Sequence, residues 1–235
     1  MKFQSIKLFT NILFTVLLSS LSLISHSQPA GLLYDPEPPT DSAYVRVILA
    51  SQEQAVEIMI DGRKRIEKLK TGEASEYMII PAGKHSITLR STGKPATTLT
   101  TTIDIVHGKV MTLAFVTLRP NYAPTIFEDK ANTNRLKAIL AVYHLDAKTG
   151  PLDVLTSDAG VKVFTNVAYE SSTAIHVNPI SIELMATKTG EKVPQVRATL
   201  EMKQGGTYSM LLVPGQDGKL VAKIVLNKIE KYTGK

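Results

Sequence analysis

The stretch Thr102-Ile103-Asp104-Ile105-Val106-His107-Gly108-Lys109-Val110-Met111-Thr112-Leu113-Ala114-Phe115-Val116 does most to limit what this chain can become. It reads as strand, turn, strand: a β-hairpin that reverses at Gly108. A gap-free echo follows at Thr199-Leu200-Glu201-Met202-Lys203-Gln204-Gly205-Gly206-Thr207-Tyr208-Ser209-Met210-Leu211-Leu212-Val213. Both copies run Thr, aliphatic, acid, aliphatic, two variable residues, Gly, two variable residues, Met or Tyr, then Thr or Ser and an apolar run. A hairpin cannot bury its apolar face alone, so each copy needs a sandwich built around it. Two copies so far apart predict two β-domains in tandem.

The remaining pattern agrees with an all-β chain of two tandem antiparallel β-sandwiches, Ig-like or jelly-roll-like. Residues 43–118 form the first. Val45, Val47 and Leu49 share one strand face, and Val56, Ile58 and Ile60 alternate with polar or flexible neighbours up to an Asp61-Gly62 turn. Strands are expected near Ile66–Leu69, Tyr77–Ile80, Ile87–Leu89, Thr97–Ile105 and Val110–Leu118, with a tight reversal at Pro81-Ala82-Gly83. No window sustains helical periodicity. Residues 119–135 carry Pro120, Pro124, the acidic pair Glu128-Asp129 and Asn132-Thr133-Asn134, and read as a linker: either a mobile joint or a segment laid across both domains. Residues 136–235 make the second sandwich. Leu136–Val142 is read as strand because it stands where Ala43–Leu49 stands in the first. A short hairpin is expected about Ser157-Asp158-Ala159-Gly160, and Asn178-Pro179 marks a strand boundary where a cis bond is a candidate.

Residues 1–27 are expected to be a secretory signal. Lys2 and Lys7 precede an apolar run from Leu8 to Ile24, and Ser25-His26-Ser27 offers small residues for cleavage after Ser27. Polar residues such as Asn11, Thr15 and Ser19 interrupt the run too often for a comfortable membrane span. Export from the cytoplasm follows as the expectation. The chain has no cysteine, which excludes a disulfide scaffold and a thiol nucleophile. Stability must come from cores, and the roughly 200 residues after the signal suffice for two small ones. The formal charge is +6, of which Lys2 and Lys7 contribute two. The excess mildly favours anionic partners, although Lys and Arg are dispersed apart from Arg63-Lys64-Arg65, read here as a turn; no nucleic-acid stripe stands out.

Residues 28–42 form an extended, proline-rich arm with Pro36, Pro38 and Pro39. It is read either as a docking segment or as an ordered lead-in that packs Leu33 and Tyr34 against the first domain. The candidate partner-binding residues are Tyr34, Asp35, Pro36 and Pro39 in this arm, with Glu128 and Asp129 in the linker. The acids are read as solvated. No catalytic, metal or cofactor site is expected. His85, His107, His144 and His176 lack metal-ligand spacing. His144 and Asp146 fall on one strand face, but no Gly-x-Ser-x-Gly supplies a nucleophile. With no Trp and 6% aromatics, a flat carbohydrate-stacking platform is poorly supplied.

Gly31-Leu-Leu-Tyr-Asp-Pro-Glu-Pro-Pro followed by Asp41-Ser42-Ala43-Tyr44-Val45-Arg46-Val47 resembles the opening of the AlgF family of alginate biosynthesis proteins. The resemblance continues through Ile60-Asp61-Gly62, Tyr77 to Pro81-Ala82-Gly83-Lys84-His85, Gly108-Lys109, Glu128-Asp129 with Asn134, Leu152-Asp153 with Thr156, and Val177-Asn178-Pro179-Ile180. Leu33 and the pair His144-Leu145 depart from it. The resemblance implies a non-catalytic periplasmic component of exopolysaccharide O-acetylation. Its implied partners are a membrane-bound O-acyltransferase and periplasmic serine-hydrolase-type acetyltransferase subunits. Direct binding of an anionic polysaccharide is the alternative function.

Overall fold

The computed structural model describes residues 40–52, 55–158 and 160–231. The expected signal and the arm candidates Tyr34, Asp35, Pro36 and Pro39 lie outside them. The first half contributes β1 (Ser42–Leu49), β2 (Ala55–Ile60), β3 (Arg63–Lys70), β4 (Glu73–Ala74), β5 (Met78–Pro81), β6 (Gly83–Ser91), β7 (Thr98–Ile105), β8 (Val110–Phe115) and β9 (Thr125–Glu128). The second half contributes β10 (Ala138–His144), β11 (Leu152–Thr156), β12 (Lys162–Val167), β13 (Ser171–Val177), β14 (Ile180–Lys188), β15 (Pro194–Met202), β16 (Thr207–Pro214) and β17 (Leu220–Leu226).

These strands make two sandwiches with matching connectivity. In the first, an outer sheet β3-β2-β6-β7 faces an inner sheet in which β8 lies between β1 and β9, and β1 also pairs with β4 and β5. In the second, the outer sheet is β12-β11-β14-β15 and the inner one β13-β10-β16-β17. One core fills the first sandwich, with Val45, Val47 and Leu49 against Ile58, Leu89 and Leu99. Another fills the second, with Leu140, Val142 and Met210 against Val154, Phe164 and Leu184. The expected all-β pair of sandwiches is therefore present, with one refinement: β1 runs parallel to β8, and β10 parallel to β16.

The two echo segments are not hairpins. β7 pairs with β6 in the outer sheet, whereas β8 pairs with β1 and β9 in the inner one. The turn at Gly108, with φ of 70°, carries the chain across the core from one sheet to the other. Leu99, Ile103 and Ile105 of β7 then face the same core as Met111, Leu113 and Phe115 of β8. Burying both apolar faces against each other wins over pairing the backbones, because each strand finds its ladder partners elsewhere in its own sheet. β15 and β16 repeat the arrangement about Gly205.

Local sequence chemistry accounts for several other features. Asp61 and Gly62 have φ of 51° and 73°, the left-handed pair that a two-residue hairpin demands, and they join β2 to β3. Arg63-Lys64-Arg65, expected as a turn, opens β3, an edge strand whose cations discourage further pairing. β11 and β12 form the expected short hairpin. The cis bond lies at Lys94-Pro95, not at Asn178-Pro179.

The central inner strands β1, β8, β10 and β16 are buried on both faces, which explains their nearly unbroken apolar character. All seven residues of β10 are buried. Beyond the two sandwich cores a third cluster joins Ile48, Ala50, Ala114 and Phe127 to Ala141, Tyr143, Leu145, Leu211 and Val213. The inner sheets thus pack on each other, and the outer sheets remain on opposite sides of a four-layer stack.

Candidate functional site

The junction between the inner sheets contains a buried cation. β1 directs Val45, Val47 and Leu49 into the first core, so alternation sends Arg46 the other way. Arg46 is fully buried, at 0% exposure. Its Nε donates to Thr112 Oγ1 at 2.8 Å, and Nη1 donates to Asn227 Oδ1 at 2.6 Å. Nη2 donates to Tyr143 Oη and to Ser209 Oγ, both at 3.0 Å. The guanidinium carbon also lies 4.7 Å from the Tyr77 ring centroid and 5.3 Å from that of Tyr143. A planar, weakly hydrated cation with a fixed fork of donors is suited to such a place, where a buried charge is stable only if every donor is engaged.

Asp129 completes the network from the other side. Its Oδ2 accepts from Tyr77 Oη at 2.7 Å and from Thr112, and its Oδ1 accepts from Tyr143. Burial pushes the phenols of Tyr77 and Tyr143 far above the usual tyrosine range; Asp129 reinforces that shift and Arg46 opposes it. Both phenols consequently remain neutral donors. Phe127 packs edge-on against Tyr143 with ring centroids 5.3 Å apart. A small hollow of about 80 Å³ beside Asp129, Tyr143 and Asn227 marks where this network meets the surface.

Residues 119–135, read as a linker, contain a strand and touch both sandwiches. Thr125–Glu128 is a strand of the first inner sheet, and the segment is stitched to the second sandwich. Tyr122 Oη and Thr125 Oγ1 donate to Glu170 at 3.2 and 2.8 Å, and Asn132 donates to the carbonyls of Lys137 and Gly205. The alternative of a segment laid across both domains describes it; a mobile joint does not. The chain also returns after β17. Tyr77 and Ile229 form a parallel bridge, and Glu230 accepts from Arg65 Nη2 at 2.7 Å and from the Ile79 amide at 2.9 Å.

The acidic pair divides its roles. Glu128 is exposed and pairs with Lys109 at 2.6 Å. Asp129, read as a solvated acid, is half-buried with both oxygens occupied. The two therefore do not form one site. His144 contacts the Val167 carbonyl through Nδ1 and Thr149 Oγ1 through Nε2, both at 3.0 Å, and no hydrogen bond joins it to Asp146 among the described residues. His85 spans Asp61 and the Pro81 carbonyl at 2.6 and 2.9 Å. That contact, helped by the Ser86 amide, holds the Asp61 carboxyl below its usual value. No group of three or more His, Asp or Glu positioned to hold a metal occurs among the described residues. Arg46 was missed on sequence, although a lone cation inside Ala43-Tyr-Val-Arg-Val-Ile-Leu was a usable signal.

A domain family described as Domain of unknown function (DUF4397) matches residues 43–155, which takes in the first sandwich and continues into β11. The solved C-terminal domain of AlgF from P. aeruginosa is similar at 23% identity and a TM-score of 0.33, over 39% of this chain and 99% of that one. The Bacillus anthracis TIE protein is similar at 12% identity and a TM-score of 0.26, over 74% of this chain and 33% of its own. No curated protein sequence matches the chain.

Proposed function

We propose that the protein is a non-catalytic periplasmic adaptor of an exopolysaccharide O-acetylation machinery of the alginate type. It holds a membrane-bound O-acyltransferase and serine-hydrolase-type acetyltransferase subunits together. The observation that carries the reading is the buried Arg46–Asp129 junction, which couples two sandwiches into one body with an outer sheet on either side. An adaptor profits from that stiffness, because two weak contacts on one rigid body reinforce each other when their separation is held constant. The motifs from Gly31 to Ile180 that resemble AlgF supply the biological setting, and the apolar run from Leu8 to Ile24 supplies the route of export.

Capture with the mature chain from a periplasmic extract tests the proposal, with recovery of an acetyltransferase subunit as the expected result. Deletion of the gene should lower the acetyl content of the polymer while its yield persists. Loss of the polymer itself would move the protein to synthesis or export instead.

A further inference from the structure

An open cleft of about 650 Å³ lies on the molecule where the inner strands end. Ala50-Ser51-Gln52 follows β1, Val116–Arg119 follows β8, Leu145–Lys148 follows β10, and Pro214 closes β16; all of them line it. Its volume is that of a small-ligand site, with a few polar groups gathered around an apolar floor. Ala50 and Leu145 form part of that floor, each at 1% exposure. Tyr122 and Tyr169 add aromatic carbon to the wall.

Two polar side chains of the lining are left incomplete. Ser51 and Asp146 are 3% and 2% exposed, yet Ser51 Oγ and Asp146 Oδ2 have no hydrogen-bond partner among the described residues. They hold corresponding places, each the second residue beyond its inner strand, in the two sandwiches. Asp146 Oδ1 is satisfied by the Lys148 amide at 3.1 Å, which leaves its other oxygen oriented without a donor. Buried oxygens of this kind are rare because an unmade hydrogen bond is costly, and hydroxyl donors on a ligand would complete them. Arg119 and Lys148 also line the cleft, and neither enters an ion pair among the described residues. A metal ion is disfavoured by those two cations and a single carboxylate; a neutral sugar would leave the cations unused.

We propose that this cleft binds a polyhydroxylated carboxylate, the chemistry of a sugar acid, with Asp146 and Ser51 taking its hydroxyls and Arg119 and Lys148 its carboxylate. Charge-assisted contacts to the carboxylate supply most of the affinity, and the buried pair selects for hydroxyls. The cleft is open, so a free sugar acid and a unit within an acidic polysaccharide present the same groups. The site is independent of the adaptor reading and stands without it.

Calorimetric titration of the mature chain with glucuronate, a glucuronate oligomer, glucose and an acidic peptide tests the site. Glucuronate should bind at least about tenfold more tightly than glucose. Arg119→Ala combined with Lys148→Ala should weaken glucuronate by about tenfold or more with an unchanged melting temperature, since both changes are at the surface. Asp146→Asn, which keeps the shape, should weaken glucuronate while leaving binding of a simple carboxylate such as acetate unaltered. A gain with oligomer length assigns the polymer as the source, and equal affinity assigns the free acid. Absence of glucuronate binding at millimolar concentration, binding indifferent to the double substitution, or preference for the acidic peptide overturns the proposal.

Discussion

The two sandwiches meet at the same rung of their parallel pairs, and they meet differently. On β1 the residue opposite Thr112 is Arg46; on β10 the residue opposite Ser209 is Ala141. The hydroxyls are retained on both sides and both accept from the one guanidinium. The long side chain comes from the first sandwich, and the space for it from the second. The two frames therefore fit each other because corresponding positions hold Arg46 in one and Ala141 in the other. The asymmetry places one guanidinium between two sheets where symmetry would have placed two or none.

The comparison is broken most severely by Ala141→Arg, which crowds the junction and sets two guanidiniums together. A destabilisation of about 5 kcal/mol is expected, read by urea unfolding, with loss of a single cooperative transition. Next comes Arg46→Leu. It strips Thr112, Tyr143, Ser209 and Asn227 of their shared donor and should cost about 3 kcal/mol in the same measurement. If that variant unfolds like the parent, the charge is dispensable and shape alone matches the sandwiches.

A pH series sharpens the comparison without mutation. The folded phenols of Tyr77 and Tyr143 are raised by burial above their unfolded value, so above about pH 10 the unfolded chain has lost protons that the folded chain keeps. Their contribution to stability is thus complete below that pH and declines as pH rises beyond it. Tyrosinate absorbance for these two residues should appear only together with unfolding, whereas early, independent ionisation would mean that the junction is wet. The smallest effect belongs to Glu128→Gln. The pair with Lys109 is exposed, and its loss should change stability by less than about 0.5 kcal/mol.

Alternation along Val45, Val47 and Leu49 was readable because those side chains obey a local rule, and the strands built on it are where they were expected. The same rule assumes that the opposite face is wet. Ile48 and Ala50 violate it, since the inner sheet has no wet face at the junction. The unbroken apolar run of Ala138–Tyr143 carried that information. The crossing at Gly108 was not legible, because a hairpin and a sheet-to-sheet crossing use the same strand-turn-strand pattern and differ only in which distant strand each half pairs with. Asp129 was hidden for a related reason. Its neighbours Pro120, Pro124 and Asn132 mark irregular backbone, whereas its partners Tyr77 and Tyr143 lie in separate sandwiches.

The contact between Arg46 and Asn227 spans 181 positions of the chain. A ribosome releases Arg46 long before Asn227 exists, so the guanidinium begins life lacking one of its acceptors. A product cut short before that asparagine would retain both apolar cores yet leave a cationic donor unanswered at its centre. The stability of the junction thus reports whether synthesis has passed residue 227, since only then does the guanidinium find its full set of acceptors.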